Sequence, residues 1–153
     1  VYKGLDSILV KHNFETELGW GNEQQFINDP IGNGRIARMN AEDGYGPTFR
    51  RSVNDIGLGL NNVRISAQVN ANSRSSDVCF VCSIEDSTGT AYYWQKYPLR
   101  PQFRGAGKWS WATSLFRCGQ PRNGSDVFVV YPMKTDGSTV LFDDLEISFI
   151  QAE

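Results

Sequence analysis

The sequence predicts an all-β protein, namely a two-sheet antiparallel β-sandwich with jelly-roll topology. Helical periodicity is almost absent, and short apolar segments alternate with polar residues instead, most cleanly over Asn62–Ala71. The 15 glycines and 6 prolines separate these segments at the spacing typical of a sandwich. About ten short antiparallel strands pack most naturally as two facing sheets.

The expected strands follow one another with turn residues between them. An apolar run forms the first strand, and the turn at residues 29–33 precedes the second. Every second residue of 77–84 is apolar, and residues 86–89 have the composition of a hairpin turn leading into the next strand. Residues 135–138 supply a similar turn before the last strand. The expected strands span residues 7–13, 34–40, 47–53, 62–71, 77–84, 90–97, 108–116, 126–132 and 139–150.

Length, charge and hydropathy narrow the class of protein. A chain of 153 residues with no evident linker is expected to form one domain over 1–153, a module excised from a larger protein. Its net charge of -2 and scattered basic residues argue against nucleic acid as a partner. Its apolar stretches, such as 127–131, are far shorter than the run of about 20 residues that spans a bilayer. Because residues 1–6 lack the blocks of a signal peptide, we expect any export signal to have been removed or to lie in a longer parent chain.

The three cysteines form no recognisable framework. Cys79 and Cys82 have the spacing of a metal or redox pair, but on a strand their side chains face opposite ways, with Cα atoms about 10 Å apart. The sequence therefore argues against zinc and redox chemistry at this pair. It leaves open a disulfide from Cys118 to either of them, which would indicate an oxidising compartment.

Catalytic patterns are missing from the sequence. The single histidine, His12, has no Ser or Cys partner in a nucleophile motif. Asp143, Asp144 and Glu146 are near in sequence but alternate in direction on one strand, unlike the facing carboxylates of a glycosidase. We therefore expect a protein that is not an enzyme.

Three segments resemble a known group of proteins. Residues 8–15 (ILVKHNFE) with Gly19-Trp20, residues 107–109 (GKW) and residues 141–148 (LFDDLEIS) are similar to the early and late strands of carbohydrate-binding modules of families four, nine and twenty-two. The resemblance covers nearly the whole chain and matches most closely at its ends. It implies the galactose-binding-like β-jelly roll and a carbohydrate-binding function without catalysis.

The resemblance also implies a structural calcium ion between the first and last strands. By position, its ligands are Glu15 and Asp143. The alternation of residues 141–149 supports this choice, because Asp143 shares a face with the apolar residues of that segment. Carboxylate oxygens suit calcium better than zinc or copper. The alternatives are that Glu15 is a hydrogen-bonded acid and that Asp143 pairs with Arg or Lys; Glu42 and Asp43 are candidates for a further ligand.

A sugar site is expected on one sheet face, since saccharides are bound by aromatic rings flanked by planar polar groups. If residues 86–89 form a four-residue loop, Ile84 lies opposite Ala91, and Tyr93 and Gln95 point to the core. A loop longer by one residue would flip the strand, so that Tyr93 and Gln95 would take the outward positions of Tyr92 and Trp94. With the four-residue loop, the candidate ligand-binding residues are Tyr92, Trp94, Lys96, Arg64, Gln68 and Glu85.

The remaining tryptophans are expected to be structural. Trp109 matches a packing position, Trp111 shares its face, and Trp20 is expected to cover the end of the sandwich. The resulting hypothesis is a monomeric, bacterial, non-catalytic module that binds a poly- or oligosaccharide, with a catalytic domain of the parent protein as its neighbour. Its expected location is extracellular, periplasmic or on the cell surface. The alternative function is a structural or adhesive accessory domain that packs on a catalytic domain and binds no sugar itself.

Overall fold

Two antiparallel sheets pack face to face, which confirms the predicted jelly-roll sandwich. The computed structural model describes residues 25–29, 34–56, 62–73 and 76–150, together with the backbone of 7–12. The six-stranded sheet contains β1 (Ser7–His12), β2 (Phe26–Asn28), β3 (Arg35–Met39), β5 (Asn62–Ala71), β8 (Ser110–Arg117) and β10 (Val140–Ile150). The four-stranded sheet contains β4 (Phe49–Ser52), β6 (Cys79–Glu85), β7 (Ala91–Pro98) and β9 (Val127–Met133).

The strand orders are β2-β3-β10-β5-β8, with β1 also paired to β10, and β4-β9-β6-β7. The short helices are α1 (Val53–Ile56) and a 3-10 turn at Arg100–Gln102. β2 was not predicted from the sequence, and the third expected strand, 47–53, overlaps the first residue of α1. In the described part of the chain, no helix has the length and apolar character needed to cross a bilayer.

The first and last strands lie side by side, as predicted. β1 runs antiparallel to β10, from Ser7 opposite Ile150 to His12 opposite Leu145. Pairing of the first and last strands closes the six-stranded sheet around β10, which has neighbours on both sides along its length.

Aromatic rings from both sheets fill the core. The Phe149 ring lies 5.1 Å from that of Phe128 and 6.2 Å from that of Phe49, measured between centroids. Phe80 and Phe142 form a second pair across the sandwich at 6.2 Å. Because β5 alternates as expected, its apolar residues line the same core: Val63, Ile65, Ala67 and Val69.

A bulge in β10 overturns the predicted direction of Asp143. The pairing with β5 shifts between Asp143 and Glu146, and Asp144 has a φ of 50°, a left-handed conformation that Asp tolerates better than most residues. Before the bulge, Phe142 points into the core; after it, Leu145 does. Asp143 lies opposite Gln68 on the outer face, and so the uninterrupted alternation assumed from the sequence was wrong.

A buried lysine ties together the loops at one end of the sandwich. Lys134 is 2% exposed, and its Nζ donates hydrogen bonds to the carbonyl oxygens of Ala41 (3.3 Å) and Asp136 (3.2 Å). Its backbone N–H donates to the carbonyl oxygen of Gly44 at 3.0 Å. The ammonium group thus joins the loop after β3 to the loop after β9.

We expect Lys134→Met to destabilise the protein. The methionine keeps most of the apolar stem, but the two carbonyl groups lose hydrogen bonds to a charged donor, which contribute about 1.5–3 kcal/mol each. Removal of the desolvated charge offsets part of this loss. The expected net effect is a decrease of about 1–3 kcal/mol in the free energy of unfolding, measured by urea denaturation. The matched control is Lys108→Met at an exposed lysine; equal stabilities of the two variants would contradict the role of Lys134.

Candidate functional site

Three aromatic side chains stand on the outer side of the four-stranded sheet. They are Tyr45, Trp94 and Tyr131, and we call this surface the aromatic face. Trp94 comes from β7 and Tyr131 from β9, while Tyr45 lies before β4 in the chain and pairs with Met133 of β9 in an isolated bridge. Trp94 is 43% exposed and Tyr45 is 60% exposed, so both rings are available to a ligand.

The three rings are held by one another. The indole Nε1 of Trp94 donates a hydrogen bond to the Tyr131 hydroxyl at 3.0 Å. The Tyr131 and Tyr45 rings meet edge to face, with centroids 5.7 Å apart and an interplanar angle of 69°. Burial raises the pKa of Tyr131. Its hydroxyl is therefore protonated at neutral pH and can accept from Trp94 while it donates elsewhere.

Polar and charged groups flank the rings. Arg50 Nη2 and Glu85 Oε2 form an ion pair of 2.7 Å across the sheet, and Lys96 is exposed on the strand that carries Trp94. Ser83, opposite Trp94 in the register, is 2% exposed, and its hydroxyl has no hydrogen-bond partner among the residues that the structure describes. A buried hydroxyl in this state is normally satisfied by water or a ligand. The face therefore offers rings, a planar ion pair and an unused hydroxyl within one sheet.

The strand register places three of the candidate residues on the outer side of the four-stranded sheet. Trp94 lies opposite Ser83 and Lys96 opposite Val81, so both face outward with Glu85, while Tyr93 and Gln95 project from the other side of β7. The pairing itself differs from the expectation: Ile84 lies opposite Tyr93 instead of Ala91. A slip of two residues preserves the face of each side chain, because side chains alternate with a period of two.

Tyr92 does not join this face, contrary to the prediction. It is the extra residue of a bulge, since Glu85 pairs with Ala91 and Ile84 pairs with Tyr93. Its ring packs against the core, and its hydroxyl donates to Asp126 at 2.6 Å and accepts from the Arg122 backbone N–H at 3.1 Å. Burial and then the bond to Asp126 raise its pKa. Tyr92 therefore anchors the loop before β9.

Arg64 and Gln68 are also separated from the aromatic face. Both lie on β5, which pairs with β8 and β10 in the other sheet, so their side chains project from the opposite side of the sandwich. The alternation correctly predicted that they face outward. It carried no information on which sheet contains the strand, and the predicted contact with Trp94 and Lys96 was wrong for that reason.

Trp111 was expected to be structural and is instead 53% exposed. It lies opposite Gln68 on the outer side of the six-stranded sheet, at the edge strand β8. Trp109, just before this strand, is half-buried, consistent with its expected packing position. Trp20 lies outside the described residues. Among the described tryptophans, one is therefore exposed on each sheet.

The metal prediction falls partly outside the described residues, because Glu15 is not among them. Asp143 is half-buried in the β10 bulge, and its Oδ1 accepts a hydrogen bond from the Asp144 backbone N–H at 2.9 Å. Asp43 accepts from the backbone N–H of Asn40 at 2.7 Å, which closes the loop after β3, and Glu42 is exposed. Over the described ranges, no three His, Cys, Asp or Glu side chains cluster in a way that could hold a metal ion.

The cysteines are thiols without metal-binding geometry. Cys79 and Cys82 lie on β6 and face opposite ways, as the sequence predicted. Burial raises the pKa of Cys79 and of Cys118 to about 11, and it raises that of Cys82 as well. No disulfide joins these three residues. Protonated thiols of this kind are poor nucleophiles and poor zinc ligands at neutral pH.

This two-sheet jelly-roll architecture is similar to the fold of several solved carbohydrate-binding modules. The chain is similar to the CBM22-1 xylan-binding domain of Paenibacillus barcinonensis Xyn10C, with 20% identity, a TM-score of 0.57 and 94% of each chain covered. It is similar to the CBM22-1-GH10 modules of Clostridium thermocellum xylanase Xyn10B in complex with xylohexaose, with 17% identity and a TM-score of 0.59 over 92% of this chain and 28% of that one.

A third similar structure is the xylan-binding module CBM15, with 12% identity and a TM-score of 0.54 over 97% of this chain and 100% of that chain. The chain matches no protein-family model and no curated protein sequence. The resemblance drawn from the sequence is thus confirmed at the level of the fold.

Proposed function

We propose that this chain is a non-catalytic carbohydrate-binding module that holds a polysaccharide along its aromatic face. The observation that carries the proposal is the set formed by Trp94, Tyr131 and Tyr45 on one sheet. A pyranose presents an apolar side to an aromatic ring and hydroxyls at its rim. The flanking Arg50–Glu85 pair supplies donors and acceptors for those hydroxyls.

The geometry of Trp94 favours binding because its ring is held before the ligand arrives. The hydrogen bond from its indole to Tyr131 fixes the ring plane, and the edge contact with Tyr45 supports Tyr131 in turn. Side chains that are ordered in the free protein lose less conformational entropy on binding. A single module is still expected to bind weakly, since each hydroxyl exchanges hydrogen bonds with water for hydrogen bonds with protein.

Xylan is the first ligand to test, because the named ligand of three structurally similar modules is xylan or a xylan fragment. One of these modules shares its chain with a catalytic GH10 module. By analogy, we propose that the present chain acts beside a catalytic domain of a secreted or surface-borne bacterial enzyme, as a monomer that binds glycan without cleaving it.

A glycan panel tests this function. The purified chain is applied to xylan, β-glucans, mannan and pectin by affinity electrophoresis, and positive cases are competed with soluble oligosaccharide. We expect a retarded, competable band with at least one polysaccharide and no release of reducing sugar. If no polysaccharide of the panel retards the chain, and the chain forms a stable complex with a catalytic domain, the accessory-domain alternative would be favoured instead. Release of product would show an enzyme.

We also propose the structural calcium ion, with Glu15 and Asp143 as ligands. Its support is the antiparallel pairing of β1 and β10, which places the end of β1 opposite Leu145, two residues from Asp143. Calcium usually takes 6–8 oxygen ligands, and Asp143 with the neighbouring Gln68 would supply only a minority of them. The site therefore depends on the contribution of Glu15 and of carbonyl groups.

We expect chelation with EDTA to lower the melting temperature by about 5–10 °C. A ligand that binds only the folded state at 100 times its Kd stabilises that state by about 2.7 kcal/mol, and each kcal/mol corresponds to about 2–4 °C in a chain of this size. Asp143→Asn should remove the calcium-dependent part of this shift, and Glu146→Gln, on the same strand, should preserve it. A melting temperature that is insensitive to EDTA and to added calcium would eliminate the calcium proposal.

A further inference from the structure

A cleft lies between the edge strands of the two sheets along one side of the sandwich. β7 is the last strand of the four-stranded sheet and β8 the last of the six-stranded sheet. Across the gap, the Tyr97 and Phe116 rings meet edge to face with centroids 6.3 Å apart. The cleft has a volume of about 380 Å³, within the range of small-molecule sites. Its principal lining residues are Tyr93, Gln95, Tyr97, Leu115, Phe116 and Arg117.

The cleft is separate from the aromatic face. Tyr93, Gln95 and Tyr97 project from the side of β7 that faces the sandwich interior, whereas Trp94 projects from the outer side. Alternation of side chains along one strand thus gives β7 two different surfaces. Lys96 borders both of them, because it faces outward yet also lines the cleft.

Its walls combine apolar and neutral polar groups. Phe116 is buried, Leu115 is half-buried and the Tyr97 ring is 41% exposed, so the cleft contains apolar surface open to water. The Tyr93 hydroxyl and the Gln95 amide form no side-chain hydrogen bond to other described residues. Rings beside unused hydroxyl and amide groups are the chemistry that a saccharide unit requires.

The charge of the cleft is positive. Lys96 and Arg117 both line it, both are exposed, and neither forms a salt bridge within the described residues. Among the described residues, no carboxylate belongs to its lining. This local excess of two cations stands out in a chain whose net charge is -2. An arginine guanidinium binds a carboxylate through two parallel hydrogen bonds, so an acidic ligand complements this wall.

We propose that the cleft between β7 and β8 is a second saccharide site, which binds a sugar unit that bears a carboxylate, such as a uronate. The tyrosine rings contact the apolar side of the sugar, Gln95 and Tyr93 exchange hydrogen bonds with its hydroxyls, and Arg117 pairs with its carboxylate. The site goes beyond the proposed aromatic-face function and does not depend on it, because the two surfaces lie on opposite sides of β7.

The test is residue-resolved. The full 153-residue chain, labelled with nitrogen-15, is titrated with D-glucuronate and, in parallel, with D-glucose while amide chemical shifts are recorded. We expect glucuronate to shift the amides of residues 93–97 and 115–117, with glucose at least tenfold weaker. Arg117→Gln should weaken glucuronate binding at least tenfold. The matched control is Arg104→Gln, at an exposed arginine outside the cleft lining, which should bind glucuronate as the parent chain does.

Four results would overturn the proposal. They are equal responses to glucose and glucuronate, an Arg117→Gln variant with unchanged affinity, shifts centred away from the cleft, and displacement of glucuronate by an oligo-glutamate peptide that binds more tightly. Trp94→Ala separates this site from the aromatic face: glucuronate binding should persist in that variant. If polysaccharide binding fails everywhere while glucuronate still shifts the cleft amides, the proposed function is wrong and the cleft site stands.

Discussion

Trp94→Ala is expected to abolish polysaccharide binding while the fold is retained. The substitution removes the largest exposed ring of the aromatic face and leaves the Tyr131 hydroxyl without the Trp94 donor. Central aromatic residues at binding surfaces typically contribute about 2 kcal/mol or more, which corresponds to about a 30-fold loss of affinity. Isothermal titration calorimetry with the polysaccharide selected from the panel measures this loss, and circular dichroism checks the fold.

Trp111→Ala is the matched control for this experiment. Trp111 is also an exposed tryptophan on an outer sheet face, but it belongs to the six-stranded sheet on the other side of the sandwich. Its removal should leave the affinity within about twofold of the parent value, because surface substitutions away from a binding site usually have small effects. If Trp111→Ala loses binding and Trp94→Ala keeps it, the ligand lies on the opposite sheet.

Phe149→Ala is expected to have the largest effect on stability. Phe149 is fully buried and contacts Phe128 and Phe49 from the facing sheet, so its removal opens a cavity where the two sheets pack. Substitutions of this type cost about 3–5 kcal/mol, a large part of the total stability of about 5–15 kcal/mol typical of a domain. We expect the melting temperature to fall by about 10 °C or more, as followed by calorimetry.

Phe149→Leu supplies the graded comparison, because leucine refills most of the space and should recover a large part of the loss. A second comparison is Trp111→Ala, which removes a larger side chain from the surface and should change the melting temperature little. If Phe149→Ala melts like the parent chain, the two sheets do not depend on this aromatic cluster.

Periodicity predicted most of the fold and the faces of individual strands. The pattern of β5 matched its span, and the pattern of β6 and β7 placed Trp94 and Lys96 outward. Those predictions succeeded because burial on one face imposes a period of two that any sequence must satisfy. The pairing of β1 with β10 was expected from the resemblance of the chain ends.

Two bulges account for the errors within strands. One extra residue at Tyr92 turned that ring to the core, and the irregularity at Asp143 and Asp144 reversed the alternation of β10. A bulge changes the parity of every residue beyond it, yet it costs little and leaves no distinct mark in a sequence of ordinary composition. Asp143 therefore faces outward despite its position between Leu141 and Leu145.

The sequence pattern also did not predict which sheet each strand belongs to, or that Tyr45 and Tyr131 are part of the candidate site. Arg64 and Gln68 have the alternation of an outward face, but the alternation is the same for either sheet. Tyr131 and Tyr45 were not predicted as site residues. The sequence did contain a signal for Tyr131. β6 and β9 are apolar on both faces, and a strand of that kind is covered on its outer side as well.

The most direct test of the aromatic-face account is a chemical-shift map of the nitrogen-15-labelled chain during titration with xylohexaose. If the ligand binds on the aromatic face, the Trp94 indole resonance shifts most, together with amides of β4, β6, β7 and β9, and the Trp111 indole is unaffected. Shifts centred on Trp111 and the outer side of β5 and β8, with Trp94 unchanged, would contradict it.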